Sequence, residues 1–374
     1  MIAFFSVVMA SYFLLLALLI YGWRKTPTMA IAIEQGEERF ISVVVPFRNE
    51  KNQIHHLIRS LAELNYPADR FEVILVNDHS DDNSENVVKS LIHDKSNFSL
   101  IRLDDDRQGK KSAITKGVEL AKGVLITTTD ADCIVPAKWL QIINASFEND
   151  NIHLVFGGVA LKGSSFFSKI QAIEFSSLIG SGAATLVLGF FTMCNGANLA
   201  FRKKSFEQVN GYEGNLEVPS GDDEFLARKI LAQSPNSIAF LKDKGAVVVS
   251  KPVGTIKDFI QQRLRWAGKW KYNSSWLAKL LAIQILLVQI AFIGLIIMTC
   301  VHIDLIGLTV SLIGVKILLE MVVIYPVASF LNIRWSWSAY FSLRLIYPLY
   351  VIAIGFMSQG MSYQWKGRSL SHKM

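Results

Sequence analysis

Charge is scarce in this sequence and cysteine scarcer still. Of 374 residues, 18% are Asp, Glu, Lys or Arg and three are cysteine. Cys133, Cys194 and Cys300 are widely spaced and odd in number. They supply neither a disulfide framework nor a zinc spacing, which fits a reducing compartment. Ile2 to Trp23 and Leu280 to Cys300 hold no charged residue at all. Hydrophobic residues make up 51% of the chain and concentrate at its two ends, high for a soluble protein, while the middle alternates like a globular domain. The length leaves room for one large domain or two smaller ones.

The charge that is present is uneven. The net charge is +7, and between Lys251 and Tyr272 six Lys/Arg stand against one Asp. A basic patch can mean nucleic acid, but this one abuts apolar spans. An anionic membrane face or a pyrophosphate is the better match, and no nucleic-acid partner is expected.

Residues 1-25 read as an N-terminal transmembrane anchor, since Ile2 to Trp23 is long enough to cross a bilayer as a helix. A signal peptide is disfavoured because the basic leading region is missing and the apolar run is too long. Arg24 and Lys25 follow the run, so the positive-inside rule places the next domain in the cytoplasm. That domain spans 38-250. It opens with a β-branched run, Phe40 to Pro46, of the kind buried on both faces of a sheet. Further strands are expected at Glu72 to Val76, Phe98 to Leu103 and Val124 to Thr129, with helical patterns between them. Strand–helix alternation predicts an α/β fold with a parallel sheet. Ligands collect beyond the carboxyl ends of such strands, where Arg48, Asp78 and Asp130 fall.

Asp130 and Asp132 close the fourth strand one residue apart. Carboxylates so spaced can grip one hard divalent cation shared with substrate phosphates. The alternative is a polar loop. Asp78 can accept hydrogen bonds from a base or ribose, or cap a helix, although Asp81, Asp82 and Ser84 suit capping better. Lys110 and Lys111 open a helix after Gly109, as a phosphate contact or a solvated turn. Ile152 to Val159 reads as another strand. Phe166 to Met193 is long, apolar and rich in Gly and Ser. It is expected to rest on a membrane surface or line an acceptor groove rather than span. In Cys194-Asn195-Gly196-Ala197-Asn198 small residues permit close backbone approach, and the two amides can bind sugar hydroxyls. Asp222, Asp223 and Glu224 start a helical pattern, as dipole-favoured acids or as a general base for an acceptor hydroxyl.

Residues 251-273 form an amphipathic interfacial helix with Ile256, Phe259, Ile260, Leu264, Ala267 and Trp270 on one face. Arg265 or Arg263 is a pyrophosphate candidate and Trp266 a floor for the acceptor. Residues 277-374 are a C-terminal membrane region with two or three spans. Lys316 and Glu320 lie inside one of them, as functional charges or as a mutual i, i+4 pair. Arg344 and Pro348 interrupt Tyr340 to Phe356, which favours a re-entrant segment there.

From about Ser42 to Trp266, some 60% of the chain, five motifs in order resemble the membrane-bound family 2 glycosyltransferases, which have a GT-A (Rossmann-like) fold. Val43-Val44-Val45-Pro46-Phe47-Arg48-Asn49-Glu50 looks like the family's opening strand. Asp78 in Val76-Asn77-Asp78-His79-Ser80 looks like its uridine-binding acid, and Asp130-Ala131-Asp132 like its metal-binding pair. Gly221-Asp222-Asp223 resembles Gly-Glu-Asp, with Asp222 in place of the usual Glu, and Gln262-Arg263-Leu264-Arg265-Trp266 resembles Gln-x-x-Arg-Trp. The resemblance implies nucleotide contacts at Pro46, Arg48, Glu50, Asp78, Lys110 and Asp130. It implies Mg2+ or Mn2+ at Asp132 and Asp130, and Asp223 (or Asp222) as the base. Asn195, Gly196, Asn198, Gln262, Arg265 and Trp266 would serve the acceptor and pyrophosphate.

The implied reaction is inverting transfer of a sugar from a nucleotide sugar, UDP-linked by the family's pattern. The implied acceptor is a lipid at the cytoplasmic face of a bacterial inner membrane, as in enzymes similar to ceramide or diacylglycerol glucosyltransferases. Cellulose and hyaluronan synthases are more distant likenesses with more spans. A small processive polysaccharide synthase and a non-catalytic nucleotide-sugar-binding membrane protein are the alternatives.

Overall fold

A computed structural model describes residues 2–28, 37–218, 220–272, 275–359, 363–366 and 368–370. In chain order it contains α1 (Ile2–Lys25), β1 (Ile41–Phe47), α2 (Ile54–Ala62), β2 (Phe71–Asn77), α3 (Ser84–Ile92) and β3 (Phe98–Arg102). Then come α4 (Lys110–Leu120), β4 (Leu125–Thr128), β5 (Cys133–Ile134), α5 (Trp139–Ser146), β6 (Leu154–Gly157) and β7 (Val159–Leu161). They are followed by α6 (Phe166–Val187), β8 (Leu199–Arg202), α7 (Lys203–Gln208), α8 (Asp222–Gln233), β9 (Ile238–Leu241) and β10 (Val248–Ser250). The last long helices are α9 (Ile256–Gly268), α10 (Trp276–Val301), α11 (Ile306–Phe330) and α12 (Trp337–Met357). The chain divides into two compact units. A helical unit takes Met1–Thr26, Lys162–Thr192 and Pro252–Met374, and a sheet unit takes Pro27–Leu161 and Met193–Lys251.

The sheet unit is built on a seven-stranded sheet in the order β3-β2-β1-β4-β8-β6-β9. All seven residues of β1 are buried, as its unbroken apolar run demands. β1 pairs in parallel with β2, from Ile41↔Phe71 to Phe47↔Asn77, and with β4 on its other side. The carboxyl ends of β1, β2 and β4 therefore share one edge. The expectation of a parallel sheet holds for β3-β2-β1-β4. It fails at β8, which runs antiparallel to both β4 and β6. An apolar run reports burial on both faces, and strand direction leaves no such mark.

The strand read over Ile152 to Val159 is two strands. β6 joins the large sheet and β7 a small sheet of order β5-β10-β7. The break falls where Gly157 faces Asn198, since a Cβ at Gly157 would lie 2.3 Å from Asn198 Nδ2. The acid pair likewise sits past its strand: β4 ends at Thr128, and Ala131 and Asp132 form a turn. Strand alternation therefore does not set the direction of the two carboxylates.

Among the described residues, the helical unit contains five helices long and apolar enough to cross a membrane. Phe4, Val7 and Leu14 of α1 and Leu280, Ile283 and Leu287 of α10 are exposed, which suits a lipid-facing surface. α6 is the most enclosed of the five. A Cβ at Gly180 would meet Val327 Cγ2 of α11 at 2.6 Å, and one at Gly22 of α1 would meet the Ala184 carbonyl oxygen at 2.7 Å, so glycine sets both close approaches. α12 is one helix of 21 residues that runs through both Arg344 and Pro348. Arg344 does not interrupt it because its charge is buried against Glu320.

Candidate active site

The sheet unit gathers its acids around one lysine. Gly109, with φ 92°, caps α4 and delivers Lys110 as the first helical residue. Gly221, with φ 82°, does the same for Asp222 at the start of α8. Lys110 Nζ lies 2.8 Å from Asp130 Oδ1 and 3.0 Å from Asp222 Oδ2. Gly196 closes the group: a Cβ there would fall 2.8 Å from Asp222 Oδ2 and 3.1 Å from Lys110 Nζ. Its amide donates to Asp223 Oδ2 at 3.0 Å, and its carbonyl accepts from Thr128 Oγ1 at 2.9 Å. Asp223 Oδ1 also accepts from the Glu224 amide at 2.7 Å.

The electrostatics follow from this packing. Burial opposes the Lys110 charge, but Asp130 and Asp222 outweigh it and hold the ammonium well above the ordinary lysine range. Burial likewise opposes the Asp222 charge, and Lys110 outweighs it, leaving that carboxyl below its ordinary value. Asp130, Asp222 and Asp223 together bring more negative charge than Lys110 offsets.

Sequence reasoning left Lys110 and Lys111 open between phosphate contact and solvated turn. Lys110 joins the acid cluster. Lys111 is buried, donating to the carbonyls of Asn215 and Val218 at 2.7 and 2.8 Å, with its ammonium 4.7 Å from the centre of the Phe225 ring. Lys229 of α8 donates to the carbonyls of Val209, Gly211 and Glu213. Two lysines thus clamp the loop leading to Gly221. Within it Tyr212 is buried near Asp222, and its hydroxyl meets no hydrogen-bond partner among the described residues. Of Lys111, Lys229 and Tyr212, the sequence flagged only the first.

The nucleotide candidates lie at the expected edge. Arg48 Nη1 donates to the carbonyls of Asp78 (3.1 Å) and His79, and Nη2 pairs with Asp81 at 3.0 Å. Asp78 is buried and accepts the Gly109 amide at 3.1 Å, so it fastens the start of α4 to the end of β2. At the start of α3 it is Asp82 that takes the Ser84 amide. Pro46 is buried in β1, and the Glu50 amide donates to Ser84 Oγ at 2.7 Å.

Asn198 departs from expectation. It is fully buried, donating to the carbonyls of Gly158 and Ala246 and accepting from Trp139 Nε1 at 3.0 Å. It clips the two sheets together and has no amide left for a sugar. Asn195 is half-buried and accepts the Asn198 amide on its carbonyl.

Asp130 and Asp132 fit a divalent cation of the Mg2+ or Mn2+ kind. Both are hard oxygen donors, and Lys110 shows that Asp130 already attracts a cation. Among the described residues no group of three or more His, Cys, Asp or Glu forms a metal cage. Two carboxylates without a third protein ligand suit a cation whose coordination substrate phosphates complete.

Gln262, Arg265 and Trp266 lie on α9 in the helical unit. Arg263 there is no pyrophosphate candidate. It is 4% exposed, pairs with Glu174 through Nη2–Oε2 (2.5 Å) and Nε–Oε1 (3.3 Å), and stacks against the Phe259 and Trp266 rings. Of the expected apolar stripe, Leu264 is buried, Phe259, Ile260 and Ala267 are half-buried, and Ile256 is exposed.

Residues 42–209 match the family described as Glycosyl transferase family 2. The chain carries a family 2 glycosyltransferase domain. The matched range runs from β1 through α7, and Asp222, Asp223 and α9 lie beyond it. Among curated relatives, a beta-monoglucosyldiacylglycerol synthase of Trichormus variabilis is 26% identical over 65% of this chain and 52% of its own length. A poly-beta-1,6-N-acetyl-D-glucosamine synthase of Staphylococcus epidermidis is 22% identical over 71% of this chain and 63% of its own. The chain spans about half the length of the first of these relatives. A mannosyltransferase of Pyrobaculum calidifontis, solved with GDP-Man and Mn2+, superposes with a TM-score of 0.59. The superposition covers 96% of both chains at 16% identity and shows that the fold is GT-A.

Proposed function

We propose that this chain is an inverting glycosyltransferase that moves a sugar from a UDP-sugar to a lipid acceptor at the cytoplasmic face of a membrane. The observation that carries the proposal is the acid cluster at Gly196, with three carboxylates around Lys110 on the sheet edge where α/β folds bind nucleotides. A net-negative cluster beside an Asp-x-Asp turn draws a divalent cation and, through it, a diphosphate.

Asp130 and Asp132 would hold Mg2+ or Mn2+, which when bound neutralises charge on the departing diphosphate. Lys110 adds a positive charge at the same place. Asp222 is committed to Lys110, so the base is Asp223. It accepts the proton of the acceptor hydroxyl while that oxygen attacks the anomeric carbon from the face opposite the leaving group. An α-linked donor then gives a β-glycoside. Five apolar helices and the relatives named as glucosyldiacylglycerol synthases support a lipid acceptor. Relatives named as N-acetylglucosamine polymer synthases favour a second reading, a small polysaccharide synthase.

The test is a transfer assay on full-length protein in detergent with Mg2+ or Mn2+, radiolabelled UDP- and GDP-sugars, and total membrane lipids. Products are separated by thin-layer chromatography and gel filtration. A discrete lipid-soluble product is expected, reduced about a thousandfold in Asp223→Asn with UDP binding retained. A product that grows in mass with time would replace the lipid reading with the polymer one. Undiminished transfer by Asp223→Asn would remove the base.

A further inference from the structure

The helical unit buries a second charge cluster of opposite sign. Glu320 on α11 is 2% exposed, and both its oxygens are occupied. Oε1 accepts from Tyr12 of α1 at 2.6 Å and pairs with Lys316 at 2.8 Å, while Oε2 pairs with Arg344 of α12 at 2.8 Å. Two cations share one carboxylate. Lys316 is 1% and Arg344 7% exposed, so water does not screen the surplus positive charge. Such a charge among apolar helices is costly unless an anion accompanies it.

Unpartnered polar atoms in the same unit point the same way. Arg344 Nε is buried and has no hydrogen-bond partner among the described residues. On α10, Gln289 is fully buried with both its amide nitrogen and oxygen unpartnered. It lies three residues before Phe292, whose ring centre is 5.1 Å from Lys316 Nζ, so it belongs to the helix face that meets the cluster. Native interiors rarely leave such donors unmet.

We infer that Lys316, Arg344 and Gln289 form a binding site for a phosphate-class anion inside the helical unit, borne on a lipid. Arg344 Nε and the Gln289 amide supply donors, Lys316 and Arg344 supply charge, and Glu320 with Tyr12 holds the cations in place. The Gln289 oxygen accepts from a protonated oxygen of the same phosphate. The inference deepens the lipid-acceptor reading, on which it rests for the source of the phosphate. It makes the preferred lipid an anionic one.

The test reads binding without transfer. Full-length protein in neutral detergent is given phosphatidic acid, diacylglycerol or inorganic phosphate, and bound lipid is counted by native mass spectrometry alongside the thermal midpoint. Phosphatidic acid should bind at least tenfold more tightly than diacylglycerol and raise the midpoint, and inorganic phosphate at the same concentration should do neither. Arg344→Gln leaves the neutral Lys316–Glu320 pair, so it should fold and lose the preference. Gln289→Leu keeps every charge and should weaken it severalfold. Lys257→Gln, on the exposed basic side of α9, should leave it unchanged. Stabilisation by inorganic phosphate alone, lost in Arg344→Gln, would keep the site but overturn its lipid source. Equal binding of the two lipids, or a preference that survives Arg344→Gln, would overturn the site. Transfer to a neutral lipid in the assay above would still stand in that case, so the two failures are distinguishable.

Discussion

Lys110 and Lys316 are both enclosed lysines shared with carboxylates, and their surroundings are opposite. In the sheet unit one lysine faces Asp130 and Asp222 with Asp223 close by, an excess of negative charge. In the helical unit Lys316 and Arg344 face the single Glu320, an excess of positive charge. An interior that needed ion pairs only for cohesion would balance them. On the proposed reading, the acidic excess draws a divalent cation with its diphosphate and the basic excess an anionic headgroup.

The largest stability effect should come from removing the carboxylate on the cationic side. Glu320→Gln leaves two buried cations facing each other and should cost about 3–5 kcal/mol, read as thermal unfolding in detergent. Glu320→Gln/Arg344→Gln should recover part of that loss. If the single variant is as stable as wild type, the helical cluster is hydrated and the contrast between the regions collapses.

Lys110→Met is the counterpart on the acidic side. Asp130 is 40% exposed at its side chain, so the loss should be smaller, about 1–2 kcal/mol. Added Mn2+ should restore part of it by replacing one cation with another. The pH dependence sharpens this. The Asp222 carboxyl is held below its ordinary value, so its contribution is present above about pH 4 and fades as pH falls through the folded-state value. The Lys110 ammonium is held above its ordinary value, so its contribution persists to about pH 10.5 and fades only at still higher pH. The gap between wild type and Lys110→Met should close in acid and stay open at neutral pH.

Asn198→Ala should cost about 1–3 kcal/mol by leaving the carbonyls of Gly158 and Ala246 and the Trp139 indole unmatched. A loss of sugar-donor or acceptor affinity without a loss of stability would return Asn198 to the ligand. Smallest of all, Gly109→Ala should cost about 1 kcal/mol, from φ 92° alone, since a Cβ there meets nothing within 4 Å. Chemical unfolding of purified variants reads both.

These residues also show what was legible in the sequence. β1 to β4 were legible because buried apolar runs carry their own signal, and the acids at Asp130, Asp222 and Asp223 because they follow a strand or start a helix. The reversed β8 was not legible, since its direction depends on how the chain returns from α6. Nor were the roles of Asn198, Lys111 and Arg263, whose partners are remote in sequence. Lys111 meets Asn215, 104 residues on, and Arg263 meets Glu174, 89 residues back. The i, i+4 spacing announced the Lys316–Glu320 pair, but nothing local announced Arg344, which turns a neutral pair into a charged cluster.

Calorimetric titration of UDP into the full-length protein, with Mn2+ or with EDTA, tests most directly that the acid excess around Lys110 exists to hold a cation and a diphosphate. Binding should be at least tenfold tighter with Mn2+, and Asp130→Asn/Asp132→Asn should abolish that difference while remaining folded. UDP affinity in wild type that is indifferent to Mn2+, or a Mn2+ effect that survives loss of both carboxylates, would contradict it.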